Sequence, residues 1–158
     1  IALGKAAGIP IAVDPKTRNF LAYRGVDLFK PNLKELREGL KVEVHSGDLG
    51  SVRSAVERLG SELGNKATMV TMSEHGVYIH DSSGEHIYPA HRRKIADVSG
   101  AGDTVIAVAT LALAQGLPIQ HIAALANLAG GLVCEEVGVV PVDPERFRAE
   151  AERLKLLQ

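Results

Sequence analysis

Apolar positions follow two rhythms along this chain, one suited to buried strands and one to helices. Ile9-Pro-Ile-Ala-Val13 is a short continuous apolar run that follows helix-forming residues ending at Gly8, so it predicts a buried strand after a helix and a turn. The strand delivers Asp14-Pro15-Lys16 at its C-terminal end. A polar stretch from Thr17 to Gly25 leads to a second brief strand, Val26 to Lys30, closed by Pro31-Asn32. Asn32 is placed to cap a helix through Leu33, Leu36 and Leu40. Asp48 or Ser51 opens the next helix, with Val52, Val56, Leu59 and Leu63 at helical spacing and Gly64-Asn65 as its stop. Ala67 to Met72 is a third β-run. Val77 to His80 and His86 to Tyr88, separated by Asp81-Ser-Ser-Gly84, predict a hairpin. A basic patch, His91 to Lys94, precedes a Gly-rich turn, Ser99-Gly-Ala-Gly102, that opens an apolar helix from Asp103 to about Ala114. Pro118 starts a helix through Ile122, Leu125, Leu128 and Val133, ending near Gly138, and a last amphipathic helix follows Pro144.

Strands alternating with helices predict one α/β domain over residues 1–158, with a mainly parallel sheet flanked by helices. Such sheets bind ligands beyond the C-terminal strand ends. Asp14, Asn32 and Thr71 lie at such ends, and the Gly-rich turn is expected to face the same crevice.

Composition narrows the partners. Eighteen basic and nineteen acidic residues leave a net charge of -1, with no block of one sign, which argues against a nucleic acid or an anionic membrane as main partner. The longest apolar stretch, Thr104 to Ala114, is too short to cross a bilayer. A single cysteine, Cys134, forms no internal disulfide and fits a cytoplasmic protein; its place in an apolar helix marks it as core. The six histidines (45, 75, 80, 86, 91 and 121) lack metal-ligand spacing. The first residues resemble a helix already under way, without an initiator Met or a signal peptide, which predicts a fragment of a longer chain.

The strongest chemical signal is Asp97-Val-Ser-Gly-Ala-Gly-Asp-Thr104. Its glycines allow a tight turn and close approach of a ligand, and they sit where unpaired N–H groups at a helix start favour an anion. A carboxylate at Asp103 can accept a proton from a hydroxyl attacking phosphorus. The alternative is an N-capping Asp after a Gly-rich turn. No Walker A loop is present, since Gly4-Lys5 is followed by Ala6. No Gly-x-Gly-x-x-Gly turn follows a strand either.

This motif resembles the second signature of the ribokinase-like (PfkB) carbohydrate kinases, Asp-Thr-x-Gly-Ala-Gly-Asp, with Val98 in place of the commoner Thr. The resemblance implies a three-layer α/β/α fold, of which this chain is the C-terminal, nucleotide-binding half, and ATP-dependent phosphorylation of a sugar. It assigns Asp103 as base and Gly100, Ala101 and Gly102 as anion hole. Asn32-Leu-Lys-Glu35 matches the family's Asn-x-x-Glu element, which serves the Mg2+ network through water; a capping box is the alternative for Asn32 and Glu35. Thr71-Met-Ser-Glu-His-Gly76 resembles the nucleotide loop Thr-x-Gly-x-x-Gly, which assigns nucleotide contacts to Thr71, Ser73 and Gly76, with Ser73 where glycine is usual. An ordinary strand-to-hairpin turn is the alternative there. Asn127 matches a helix position near the purine, with Gly138-Val-Val140 as the following loop; within an apolar helix it requires either a ligand or a backbone partner. Asp97 is either a ligand of a monovalent cation or a turn-stabilising residue. Asp14 and Lys16 are phosphate-side or sugar-side residues or a salt-bridged strand end.

Asp14-Pro-Lys with Phe20, Tyr23-Arg-Gly25, Pro31-Asn-Leu-Lys-Glu35 and Asp97 to Ile106 together look like the heptose-7-phosphate kinase branch. That branch phosphorylates the anomeric hydroxyl of D-glycero-β-D-manno-heptose 7-phosphate on the route to ADP-heptose for lipopolysaccharide. Another ribokinase-like sugar or nucleoside kinase, or a non-catalytic nucleotide-binding fragment, stands as the alternative. No His-x-Gly-His motif of an adenylyltransferase occurs in the chain. The resemblance runs from Gly8 to about Arg148 and leaves out the family's Gly-rich sugar-contacting segment and β-lid. It implies that the fragment is inactive alone, that the intact enzyme is a homodimer, and that sugar phosphate and ATP are the small-molecule partners.

Overall fold

The computed structural model describes residues 1–45, 47–91 and 93–156; Arg92 of the basic patch lies outside them. Five strands form one sheet in chain order: β1 (Ala12–Val13), β2 (Leu28–Phe29), β3 (Ala67–Thr71), β4 (Val77–Asp81) and β5 (Gly84–Tyr88). β1, β2 and β3 pair in parallel, and β4 and β5 add the expected hairpin antiparallel. The sheet is therefore mixed, with its parallel part at the β1 side.

The first two strands are shorter than their apolar runs. Pro10 has no N–H to give, and the Ile11 N–H goes to the Asp27 carboxylate at 2.8 Å. Pairing begins only at the Ile11 carbonyl, which accepts from the N–H groups of Asp27 and Leu28. The polar stretch after β1 coils into a 3-10 segment, Thr17–Ala22, whose Phe20 is buried edge-on against Phe29 with centroids 5.2 Å apart.

Among the described residues six helices accompany the sheet: α1 (Ala2–Ala6), α2 (Leu33–Leu40), α3 (Leu49–Leu63), α4 (Ala101–Ala114), α5 (Ile119–Val133) and α6 (Pro144–Arg153). Asp48 caps α3, its carboxylate accepting from the N–H groups of Gly50 and Ser51, which settles the choice between Asp48 and Ser51. α2 and α3 cover one face of the sheet through Leu36, Leu40, Val52, Val56 and Leu59 against Phe29, Val70 and Tyr78. α4 and α5 cover the other through Val105, Ala109, Ile122 and Ala126 against Leu28, Met69 and Ile79. These are the three layers expected of the family resemblance. α6 lies outside them, its Phe147 and Ala151, with Leu154 at its C-terminal cap, packed on Leu125, Leu128 and Leu132 of α5. Arg53 of α3 pairs with Glu85 of β5, which also accepts from the Tyr78 hydroxyl at 2.6 Å; the guanidinium holds the Glu85 carboxyl down to about 2 and ties α3 to the hairpin.

The direction of α4 places the Gly-rich turn. Leu113 and Leu117, at and beyond the C-terminal end of α4, line a cavity of about 840 Å³ with Asp27 and Ala67, at the N-terminal ends of β2 and β3, and with Asp81, the last residue of β4 paired with Ala67. Fourteen residues of helix span about 21 Å. The N-terminus of α4 therefore sits at the opposite end of the sheet, where β1, β2 and β3 finish. Among the described residues no helix is long and apolar enough to cross a membrane.

Candidate active site

The parallel strands end on a charged pair that the sequence did not single out. The register sets Val13 beside Phe29, so the next residues of each strand, Asp14 and Lys30, come together. Lys30 Nζ lies 2.9 Å from Asp14 Oδ1 with only 3% of the side chain exposed, whereas Lys16, 76% exposed, reaches the same carboxylate at 3.7 Å. The salt-bridged strand end is thus present, and its main cation is Lys30. A charge in an otherwise apolar strand run was the available signal. A buried ammonium is tolerable only while paired. Asp14→Ala, which strands that ammonium, should therefore lower stability by about 3 kcal/mol. The double variant Lys30→Met with Asp14→Asn should recover most of that in urea unfolding.

Beyond Lys30, Asn32 bridges to Thr71, and the Thr71 N–H donates to the Pro31 carbonyl at 3.1 Å. Asn32 Oδ1 accepts from the Glu35 N–H and Glu35 Oε2 accepts from the Asn32 N–H, both at 2.8 Å, a complete capping box. The helix-start alternative is what these atoms do, and it leaves Asn32 Nδ2 and Glu35 Oε1 available. Asn32, Thr71 and Ser73 share a groove of about 510 Å³ with Lys34, Arg37 and His45. The sequence reading missed this cationic wall; the i, i+3 spacing of Lys34 and Arg37 directly after Asn32 was its trace.

The loop after β3 closes on itself. Met72 N–H donates to the Gly76 carbonyl at 2.8 Å, and His75 and Gly76 donate back to Met72 and Ser73 at 3.0 Å. Ser73 stands at φ 53°, in the left-handed region that the family's usual glycine would occupy without cost. The departure from the family pattern preserves the backbone shape and adds strain. Ser73→Gly is expected to raise stability by about 0.5–1 kcal/mol in chemical denaturation.

The pairing of Thr71 with Val77 and of Val77 with Tyr88 puts the end of β5 at the same edge of the sheet. There Asn127 of α5 donates to the Pro89 carbonyl at 3.0 Å, so a backbone group is its partner. At the C-terminal cap of α5, Cys134 is buried, and burial with the nearby Asp97 charge pushes its thiol up, as suits a core residue.

The Gly-rich turn is built by Asp97. Its Oδ1 accepts from the N–H and hydroxyl of Ser99 at 3.0 and 2.8 Å, and its Oδ2 from the Gly138 N–H at 3.0 Å. These donors, the Ser99 N–H foremost, hold its carboxyl below the usual range. Gly100 follows at φ 76° and caps α4, which begins at Ala101, two residues before the expected start. Ala101 N–H donates to the Val98 carbonyl at 3.3 Å. Among the described residues the N–H groups of Gly100 and Gly102 have no acceptor, so two of the three expected anion-hole donors are free. Asp103 sits exposed in the first turn and makes no capping bond, which removes the N-cap alternative. No cluster of three or more His, Cys, Asp or Glu is placed to hold a metal among the described residues.

The structure brings Asn32, Thr71 and Ser73 into one groove, and sets Asp14, Asn127 and the Asp97–Asp103 turn at the same end of the sheet. A three-layer α/β fold with a glycine-flanked carboxylate beyond its parallel strands is the ribokinase-like class. Two solved structures agree on that fold. Phosphofructokinase-2 from Escherichia coli in complex with potassium superposes with a TM-score of 0.86 at 22% identity, over 98% of this chain and 50% of that one. Ribokinase from Thermotoga maritima superposes at 0.76 and 20%, over 96% and 52%. The model of the pfkB family carbohydrate kinases matches residues 1–146, and the chain belongs to that family. Bifunctional protein HldE of Syntrophotalea carbinolica is 42% identical over 152 residues, 93% of this chain and 30% of that protein. The Methylobacillus flagellatus protein of the same name is 40% identical over 152 residues, covering 96% and 31%. The chain thus spans just under a third of the length of these curated relatives.

Proposed function

We propose that this chain is the C-terminal, nucleotide-binding part of an ATP-dependent sugar-phosphate kinase acting on the anomeric hydroxyl of D-glycero-β-D-manno-heptose 7-phosphate. The observation that carries the reading is Asp103, an exposed carboxylate without a structural bond, beside the free N–H groups of Gly100 and Gly102 at the strand-end face of the sheet. The family match supports phosphoryl transfer, and the similarity to the HldE proteins, with the Asp14-Pro-Lys16 and Tyr23-Arg-Gly25 elements, supports the heptose branch.

In this reading Asp103 takes the hydroxyl proton as the sugar oxygen bonds to the γ-phosphorus and the bond to the ADP oxygen breaks. Gly100 and Gly102 donate N–H groups to the charge on the phosphoryl oxygens. Thr71, Ser73 and Gly76 shape the nucleotide loop, with Lys34 and Arg37 offering positive charge to the phosphates. Asn127 holds the Pro89 backbone beside the purine. The groove's polar and cationic lining fits a magnesium nucleotide, with Glu35 Oε1 and Asn32 Nδ2 left to hold metal-bound water. Magnesium, when bound, neutralises phosphate charge. Asp97 keeps the turn in shape, and a monovalent cation there would share its carboxylate with Ser99 and Gly138.

Incubating the complete kinase with ATP, magnesium and a panel of sugars tests the reading. The expected product is the heptose 1,7-bisphosphate. Turnover of fructose 6-phosphate, ribose or a nucleoside in its place would move the chain to another branch. ATP binding by calorimetry with no turnover on any sugar would leave a nucleotide-binding module.

A further inference from the structure

Between Pro89 and Ser99, the segment that leads into the Gly-rich turn, none of the described residues belongs to a helix or strand. Among the described residues its hold on the fold comes from three places, the first of them the Asn127 bond to the Pro89 carbonyl at 3.0 Å. Near the turn, the N–H groups of Ala96 and Asp97 both donate to the Cys134 carbonyl, at 2.8 and 3.2 Å, and Asp97 reaches Gly138. Four residues earlier, Arg93 anchors it. The Arg93 side chain is only 7% exposed and forks between Glu135, just past α5, at 3.4 Å and Glu150 of α6, reached by both Nη1 (3.3 Å) and Nη2. Its stem lies over Gly131, where a Cβ would come within 3.1 Å of Nε. That Nε is buried with no acceptor among the described residues, an unmet donor that a less constrained side chain would avoid.

The charge balance of this cluster does not depend on Arg93. Arg146 pairs with Glu135 and lies 3.8 Å from Glu150, and Arg153 lies 3.6 Å from Glu150. Among the described residues it is Arg93 that links these carboxylates to the backbone leading into the turn. We propose that Arg93 is a positioning residue for Asp103: through Glu135 and Glu150 it couples α6 and the end of α5 to the segment that aims the catalytic turn. The proposal rests on the kinase reading of Asp103.

The test uses the complete kinase with Arg93→Gln, Glu150→Gln and Glu135→Gln, read by steady-state kinetics and by amide hydrogen exchange at Ala96, Asp97 and Gly138. Arg93→Gln is expected to lower kcat about tenfold or more, the effect of a displaced reacting group, with KM for the sugar phosphate unchanged. Exchange at the three amides should quicken while the core of β3 and β4 keeps its protection. Glu150→Gln should reproduce both effects, and Glu135→Gln should give less, because Glu150 still holds the fork at two oxygens. A lowered melting temperature with normal kcat overturns the proposal. So does a fall in kcat without faster exchange, or faster exchange without a fall in kcat. If Asp103→Asn keeps normal turnover, the kinase reading of Asp103 fails instead, and the exchange data alone still decide whether Arg93 is the tether.

Discussion

Replacing Asp103 with asparagine in the complete kinase is expected to lower kcat about 10²–10⁴-fold, the usual weight of a positioned general base. The melting temperature should barely move. Asp103 is exposed in the first turn of α4 and makes no capping hydrogen bond, since Gly100 holds the cap position and Asp97 binds the turn. Its one structural contribution is a negative charge near a helix N-terminus, worth about 0.3–1 kcal/mol. Asparagine keeps the shape and loses the ability to take a proton. KM for ATP should therefore stay within about twofold, because the loss falls on a group used in the transition state rather than in ground-state binding. A variant that turns over normally would remove Asp103 from the mechanism. One that unfolds would show that the carboxylate has a structural partner after all.

Gly76→Ala should be the most damaging single methyl in the chain. Gly76 stands at φ 87° and ψ -134°, a conformation that side chains avoid. An added Cβ would come 2.0 Å from the Tyr88 carbonyl oxygen and 2.6 Å from the Ala90 nitrogen. Both obstacles are backbone, fixed by the β4–β5 ladder on one side and by the Asn127 bond to Pro89 on the other. Nothing can swing aside, so strain and clash add, and a loss of about 3 kcal/mol or more is expected. The urea midpoint should fall accordingly. Nucleotide affinity should fall with it, because Gly76 closes the loop through its carbonyl bond to Met72. A variant within about 1 kcal/mol of the parent would mean that the loop can relocate.

The sequence revealed most where one local rule decided the outcome. α3 was legible from its apolar stripe, as was the hairpin from its polar loop; α5 was legible along its stripe but stops at Val133 rather than near Gly138, because the N–H groups of Glu135 and Glu136 turn back to the carbonyls three residues earlier. The start of α4 was not, because Gly100-Ala-Gly102 has no periodicity to declare a helix, and α4 began two residues early. β1 and β2 came out short for a tertiary reason, the capture of the Ile11 N–H by the Asp27 side chain. The site divides in the same way. Glycine spacing betrayed the tight turn before α4, and the three-residue step from Asn32 to Glu35 betrayed the capping box. Lys30 stayed hidden because its meaning depends on a parallel register that brings Asp14 alongside it. Arg93 was visible only as part of a basic patch, since its two carboxylates lie 42 and 57 positions further on.

The capping box of Asn32 and Glu35, taken with the magnesium role proposed for them, bears on how members of this family can be sorted. Each spends one side-chain atom on starting α2, so a lineage that had stopped phosphorylating anything would still be selected to retain both, on grounds of folding alone. Asp103 has no second employment of that kind. In a silent descendant it would be free to drift first, while the Asn-x-x-Glu element persisted as a relic of helix formation. Of the two motifs, the one with the less structural work is therefore the better character for telling a working kinase from its inactive kin.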